Sequence, residues 1–458
     1  MHSSQKTEHQ TSQPPFVYEY WRTRILYSTM LGYIFFYFIR KNISMAMPLI
    51  EESDLGISKT DLGIFLTLHG ILYGVSRFAH GIAADRANPR YFMAAGLFLC
   101  ALANFAFGMS STVWCMGIFW VLNGWFQGMG FPPCAKSLTH WFAAEERGVK
   151  FAIWNTSHSI GAGIVFLLNS VIIWYFHDWR FCFFIPAAIA ICGAVMLIER
   201  LRDSPEKLGL APIEKYYASR NAENREQESL PTEELIVEEA EKPESLGETL
   251  WKHVYSNPWI WALSFANFFV YVVRFSILDW APTFLKEAKG IEVHHAGLVS
   301  CGYELVAVLG MLSGGYLMDR VFRGRGSKVC FLAMFCCTIT LAYFWWSEPS
   351  NFFSLAILLS VIGFFIYVPQ CLIGVIVANV ATKKAAAAAN GLTGIFGYLS
   401  VTVSGAGVAF IAKNYGWNAV FAGLIGASGI AMLLFLFALN AVSPEQLATE
   451  KKERNSEK

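Results

Sequence analysis

Residues 25–50 read ILYSTMLGYIFFYFIRKNISMAMPLI, an apolar run that carries two cations, Arg40 and Lys41, in its interior. Roughly 20 apolar residues suffice to cross a bilayer as a helix, and in hydrocarbon a helix satisfies every backbone N–H and C=O internally. A cation at that depth costs at least ~2.5–3.5 kcal/mol on insertion scales. Such a residue must therefore face a water-filled cavity, a partner or a substrate. The pattern occurs a second time: WIWALSFANFFVYVVRFSILDW, at 259–280, holds Arg274 in its middle. The arginines are 274 − 40 = 234 residues apart, and GIAADR (Asp85, Arg86) and GYLMDR (Asp319, Arg320) repeat with the same offset, 319 − 85 = 234. Two halves therefore repeat, each with one intramembrane arginine in the same register. Facing each other, they aim both guanidinium groups at a shared central cavity, and paired planar forks suit a phosphate or carboxylate.

The remaining composition agrees with a membrane environment. Of the 458 residues 55% are apolar and 15% charged, against about 25% charged in an average soluble protein. A net charge of +1 argues against a nucleic-acid partner. The ten cysteines lie mostly inside apolar runs, Cys336 and Cys337 side by side, and read as small apolar fillers, not disulfides or metal ligands. No zinc-ligand spacing, nucleophile elbow or phosphate-cradling glycine loop occurs, so the sequence supports neither a metal, a cofactor nor an enzyme. No cleavable signal segment is visible, because the start is polar and the first apolar run is too long for one.

The apolar runs predict an all-α integral membrane protein of about twelve transmembrane helices. Their expected extents are 25–49, 62–84, 91–109, 113–141, 150–175 and 181–198, then 257–280, 297–318, 329–346, 353–380, 391–412 and 419–441. Connections after the second, fourth, eighth and tenth spans are short and basic, holding Arg86 and Arg90; Arg147 and Lys150; Arg320, Arg323, Arg325 and Lys328; and Lys383 and Lys384. By the positive-inside rule both termini are cytoplasmic. The expected divisions are a cytoplasmic tail at 1–20, a six-helix half at 21–200, a polar linker at 201–251, a second half at 252–442 and a tail at 443–458. The linker is acid-rich and reads as a cytoplasmic connection between the halves, and an amphipathic helix at 230–237 is not expected. Gly124, Gly128, Gly130, Pro132 and Pro133 in the fourth span, and Gly391, Gly394 and Gly397 in the eleventh, predict close helix approaches and bends.

Local spacing then selects candidates around the arginines. Tyr33, Tyr37 and Arg40 stand at i, i+4, i+7, one helical stripe, and Tyr271 and Arg274 at i, i+3. Tyr73 and Tyr398 are further intramembrane tyrosines whose hydroxyls can reach sugar or phosphate oxygens. Lys41 points about 100° away from Arg40, toward a neighbouring helix or into the cavity's positive field. Arg77 lies eight residues before Asp85, so it sits ~12 Å up the helix. His158 has Asn155 on the same face and can donate to phosphate and change charge near neutrality. Glu304, an intramembrane acid, is expected to pair with a basic residue of the cavity, such as Lys41. His294 and His295 read as solvated outer-loop residues. Asp85, Arg86, Asp319 and Arg320 are expected to make gating contacts at the cytoplasmic face.

The loops GIAADRANPR and GYLMDRVFRGRG resemble the repeated loop motif of the major facilitator superfamily. YFIRKN at 37–42, GWFQGMGFPPC at 124–134, ERG at 146–148, WNTSHSIGAG at 154–163, FVYVVRFSILDW at 269–280 and GLTGIFGYL at 391–399 together resemble its organophosphate:phosphate antiporter family, over about 21–442. NPWIWALSFANFFVYVVR, at 257–274, resembles the hexose-phosphate transporter and sensor branch. The resemblance implies exchange of hexose or glycerol phosphate for inorganic phosphate by alternating access, or sensing of external glucose 6-phosphate through a membrane histidine kinase. It implies a monomer in a bacterial inner membrane. Arg40 and Arg274 match the family's two phosphate-binding arginines, Arg77 a position often occupied by lysine, and His158 a histidine that lines the site. Some hexose-phosphate members carry an acid and a lysine in the eleventh span; here SVTVSGAG, at 400–407, has neither.

Overall fold

Short polar residues between the apolar runs set where helices begin. Ser58 accepts the Asp61 N–H while Asp61 accepts the Ser58 N–H, a reciprocal cap on the second helix. Asn88 before Pro89, Thr112, Asn257 before Pro258, and Asn351 each lend a side-chain oxygen to the first turn of a helix. The computed structural model describes residues 15–228, 248, 250–346 and 351–441. The first 14 residues, the stretch at 230–237 and the tail at 443–458 lie outside them, as do the side chains of Lys383 and Lys384.

The chain runs through α1 (Pro15–Glu51), α2 (Lys59–Arg86), α3 (Pro89–Met109), α4 (Val113–Gln127), α5 (Phe131–Trp141), α6 (Ala144–Phe176) and α7 (Phe181–Arg200). After the linker helix α8 (Ile213–Glu228) come α9 (Pro258–Lys289), α10 (Val293–Tyr316), α11 (Gly326–Trp346), α12 (Phe352–Thr402) and α13 (Val408–Phe437). Nine helical segments among the described residues are long and apolar enough to cross a membrane, and one of them, 388–440, holds two crossings divided at Gly416, where φ is 77°. With α1 and the α4–α5 pair the crossings number twelve. The long helix α12 holds two crossings that approach each other: a side chain on Gly374 would meet Asn390 Oδ1 at 3.2 Å, closer than a straight helix allows over sixteen residues.

The fourth span differs from its expected single run, because residues 128–130 turn out of helical register between α4 and α5. A Cβ on Gly128 would lie 2.8 Å from the backbone nitrogen of Arg77, so glycine there lets the broken span close onto α2. One terminal expectation is also corrected. Residues 15–20 are the start of α1, not a polar tail, since Tyr18 is buried against Trp141 and stacks on Tyr216 at 3.9 Å. The linker contributes a helix of its own: α8 is tied to α1 where Tyr216 Oη and Arg220 both donate to Glu19.

Helices α1, α6 and α7 pack together, as do α9, α10 and α12, and the two groups meet along α6–α10 and α1–α9. On the face away from the basic loops the groups are pinned together. Lys59 pairs with Glu287 at 2.5 Å, Lys286 with Glu52, and Thr67 donates to the Val401 carbonyl at 3.1 Å. On the basic-loop face Asp85, Arg86, Asp319 and Arg320 are exposed, and no ion pair among the described residues joins them. The expected gating contacts are therefore not made among the described residues in this arrangement, in which the halves are pinned at the opposite face.

Candidate anion-binding cavity

The 3.6-residue period turns Tyr33, Tyr37 and Arg40 of α1 toward the middle of the bundle. Tyr73 and Arg77 of α2, Asn155 and His158 of α6, Tyr271 and Arg274 of α9, and Tyr398 of α12 line the same cavity, which has an empty volume of about 540 Å³. A second cavity shares Arg77 and Phe131 with it and continues past Asp85 and Lys136 toward the basic-loop face.

The three arginines are held in different ways. Arg40 lies over the Tyr73 ring at 4.0 Å and near the Tyr37 ring at 5.4 Å. Arg77 lies over Phe131 at 3.7 Å and donates to Tyr398 Oη at 2.6 Å. Arg274, 3% exposed, donates to Tyr367 Oη at 2.9 Å, and that hydroxyl in turn donates to the Glu304 carboxylate. Aromatic faces offset part of the desolvation of each cation without neutralising it. The cavity lining includes no aspartate or glutamate, and among the described residues no carboxylate pairs with Arg40 or Arg77.

Other polar atoms are left waiting. His158 is 5% exposed with its ring parallel to Tyr367, centroids 6.0 Å apart, and its Nε2 has no partner. Arg274 Nε and Gln370 Oε1 are likewise buried without a partner among the described residues. An orphaned buried donor or acceptor costs about 1–3 kcal/mol. An anion with several oxygens would satisfy donors on both sides of the cavity at once.

Two of the sequence expectations are corrected. Lys41 does not line the cavity: its position about 100° around α1 from Arg40 carries it between the halves, where it pairs with Asp279 of α9. Glu304 consequently reaches Arg274 through Tyr367 and does not pair with Lys41. Sequence reading missed Asp279, Tyr367, Gln370 and the aromatic walls Phe131, Trp154 and Phe275. The signal for the first was an acid five residues after Arg274 in the same apolar run. For Tyr367 and Gln370 it was two polar groups flanking Pro369 in an apolar stretch. The 400–407 segment, without its acid and lysine, packs on α2 at the closed face, where Ala406 N donates to Thr67. At the start of α10, away from the cavity, Glu292, His294 and His295 bring one donor atom each within 4.8 Å of one another, a grouping that the linear spacing did not suggest.

The pattern of the Major Facilitator Superfamily matches residues 29–405. The chain belongs to the major facilitator superfamily. It is thus a multi-pass membrane protein of a transporter superfamily and not an enzyme. A probable hexose phosphate transport protein of Chlamydia trachomatis serovar D is 41% identical over 93% of this chain and 92% of its own. The Escherichia coli membrane sensor protein UhpC is 35% identical over 94% of each chain. As the motifs implied, this superfamily member groups with the organophosphate:phosphate antiporters of the hexose-phosphate transporter and sensor type. The solved structure of a bacterial homolog to the human lysosomal transporter Spinster, inward-facing and unoccupied, covers 92% of this chain and 95% of its own with a TM-score of 0.65 at 15% identity. That likeness shows the major facilitator fold alone.

Proposed function

We propose that the protein exchanges an external organophosphate, foremost glucose 6-phosphate or another hexose 6-phosphate, for internal inorganic phosphate. The observation that carries this reading is the convergence of Arg40, Arg77 and Arg274 on one cavity whose lining has no acid. The hexose-phosphate relatives support the choice of substrate. A phosphate bridging Arg40 and Arg274 offsets the repulsion between two cations in a low-dielectric site. His158, Asn155 and the tyrosines Tyr33, Tyr37, Tyr73, Tyr271 and Tyr398 take the remaining oxygens and the sugar.

The mechanism is a rocker switch in which the halves 21–200 and 252–442 rotate about the cavity. The empty carrier closes poorly because its arginines repel, so a bound phosphate must return on every half-cycle. Exchange is then obligatory and needs neither proton nor sodium. Asp85, Arg86, Asp319 and Arg320 meet when the basic face closes. That face is cytoplasmic, with both termini inside, in a bacterial inner membrane. The carrier works as a monomer.

Phosphate-loaded liposomes carrying the protein should take up labelled glucose 6-phosphate, unloaded ones should not, and a protonophore should change neither. Net uptake driven by a proton gradient without internal phosphate would overturn the exchange reading. Binding of glucose 6-phosphate without exchange would favour the second reading, a receptor acting through a membrane histidine kinase, to which the likeness to a membrane sensor protein lends weight.

A further inference from the structure

We propose that three buried side-chain amides, Asn104, Asn123 and Gln127, are positioning residues that hold Arg40 in place through the backbone of α1. The proposal rests on the reading of Arg40 as an anion ligand.

Arg274 is fixed at its guanidinium, by Tyr367 backed by Glu304. Arg40 has no carboxylate-backed tether: among the described residues no carboxylate meets it, and its guanidinium lies against the Tyr37 ring and the Tyr73 side chain, with which it shares a hydrogen bond. Its placement therefore depends more heavily on the helix that carries it. One turn of α1, on the side facing α3 and α4, receives three amides. Gln127 Nε2 donates to the Phe36 carbonyl at 3.0 Å, and Asn123 Nδ2 and Asn104 Nδ2 both donate to the Ile39 carbonyl, at 2.9 and 3.0 Å. The Phe36 carbonyl is also the helical acceptor of the Arg40 N–H, four residues on. Asn104 Oδ1 accepts from Asn42 Nδ2 at 2.8 Å, tying in the residue two beyond Arg40.

All three amides are at most 2% exposed. The α1 carbonyls already hold their intrahelical bonds, so the helix does not need these donors for its own satisfaction. The amides instead fix its height and rotation against α3 and α4. No side-chain amide among the described residues donates to α9 around Arg274, so the device serves one arginine only. The division is chemically sensible. A guanidinium anchored by its own hydrogen bonds has fewer left for a ligand, whereas one anchored through its backbone keeps more of its fork free.

The test uses the full chain purified in detergent, titrated with inorganic phosphate and with glucose 6-phosphate while tryptophan fluorescence is followed, since Trp154 lines the cavity. Gln127→Met and Asn123→Leu should each weaken binding roughly tenfold, because small displacements of an aligned group have large effects. In liposomes KM should rise by the same factor with Vmax little changed. Gln127→Met keeps size and shape and guards against loss of folding. Combined with Arg40→Lys, either change should add nothing to the loss of binding. A merely structural role would lower the melting temperature and leave Kd where it was, which overturns the proposal, as does an amide loss that multiplies with that of Arg40→Lys. Should Arg40→Lys itself bind phosphate normally, the reading of the site falls and takes this proposal with it. Weakening by Arg40→Lys but by neither amide variant overturns the positioning role alone.

Discussion

Arg40→Lys and Arg274→Lys should each lower homologous phosphate exchange by about 10–150-fold while the protein still inserts and folds. Lysine keeps the charge but loses the planar fork and its two-pronged contact with phosphate. A charge-assisted contact of that kind is worth ~1.5–3 kcal/mol, and about 1.4 kcal/mol is one decade of affinity. The two positions should differ in kind. At Arg40 the loss concerns the ligand alone, because the guanidinium rests on the Tyr73 and Tyr37 rings and no carboxylate depends on it. At Arg274 the substitution also disturbs Tyr367 and Glu304, the latter fully buried, so a modest fall in stability should accompany the loss of exchange. One phosphate is shared by both cations, so the double variant should be little worse than either single one. The measurement is exchange in vesicles at matched protein level. Near-normal exchange by either variant would make that arginine structural and remove the basis of the proposed mechanism.

The features that could be read from the sequence are those with a local period. The stripe of Tyr33, Tyr37 and Arg40 follows from helical geometry alone, and each apolar run long enough to cross a membrane announced a crossing. The repeat offset of 234 residues is enough to bring Arg40 and Arg274 to one cavity. What escaped depends on partners far along the chain. Lys41 looked like a cavity cation because its partner is 238 residues away on α9. Residues 15–20 looked like a tail because Tyr216, which orders them, lies in a segment whose polar composition suggests a plain linker. Tyr367 carries no charge, and although it stands near Pro369 in an apolar stretch, its role follows from its place between Arg274 and Glu304. The break between α4 and α5 was foreshadowed by its glycines and prolines, but its position depends on how closely Gly128 approaches Arg77 on another helix.

Lys41→Met and Asp279→Leu, made singly, should each sharply destabilise the protein, and the double variant should recover most of the loss. The pair is nearly dry, with side chains 8% and 12% exposed, and it joins α1 to α9 across the two halves. Removing one partner leaves a buried, uncompensated charge, which typically destabilises by about 3–5 kcal/mol. Replacing both with apolar residues removes the attraction and the desolvation penalty together, and such replacements are often neutral. The Lys286–Glu52 pair at the same closed face provides the contrast. Glu52 is 62% exposed, and a pair of that kind contributes only ~0–1 kcal/mol. Lys286→Met should therefore be almost silent in a melting experiment. Recovery of stability in the double variant should not restore exchange. Lys41 adjoins Arg40, and Asp279 lies on the arginine-bearing helix α9, so the pair braces the closed face beside the proposed phosphate site. Without it that face should open more readily, and cysteines placed along it should react faster with water-soluble thiol reagents. Melting curves and labelling rates on the same preparations separate the two effects. Single variants that melt like the parent would show that the pair contributes nothing to the fold, and unchanged labelling in the double variant would show that it does not hold the halves together.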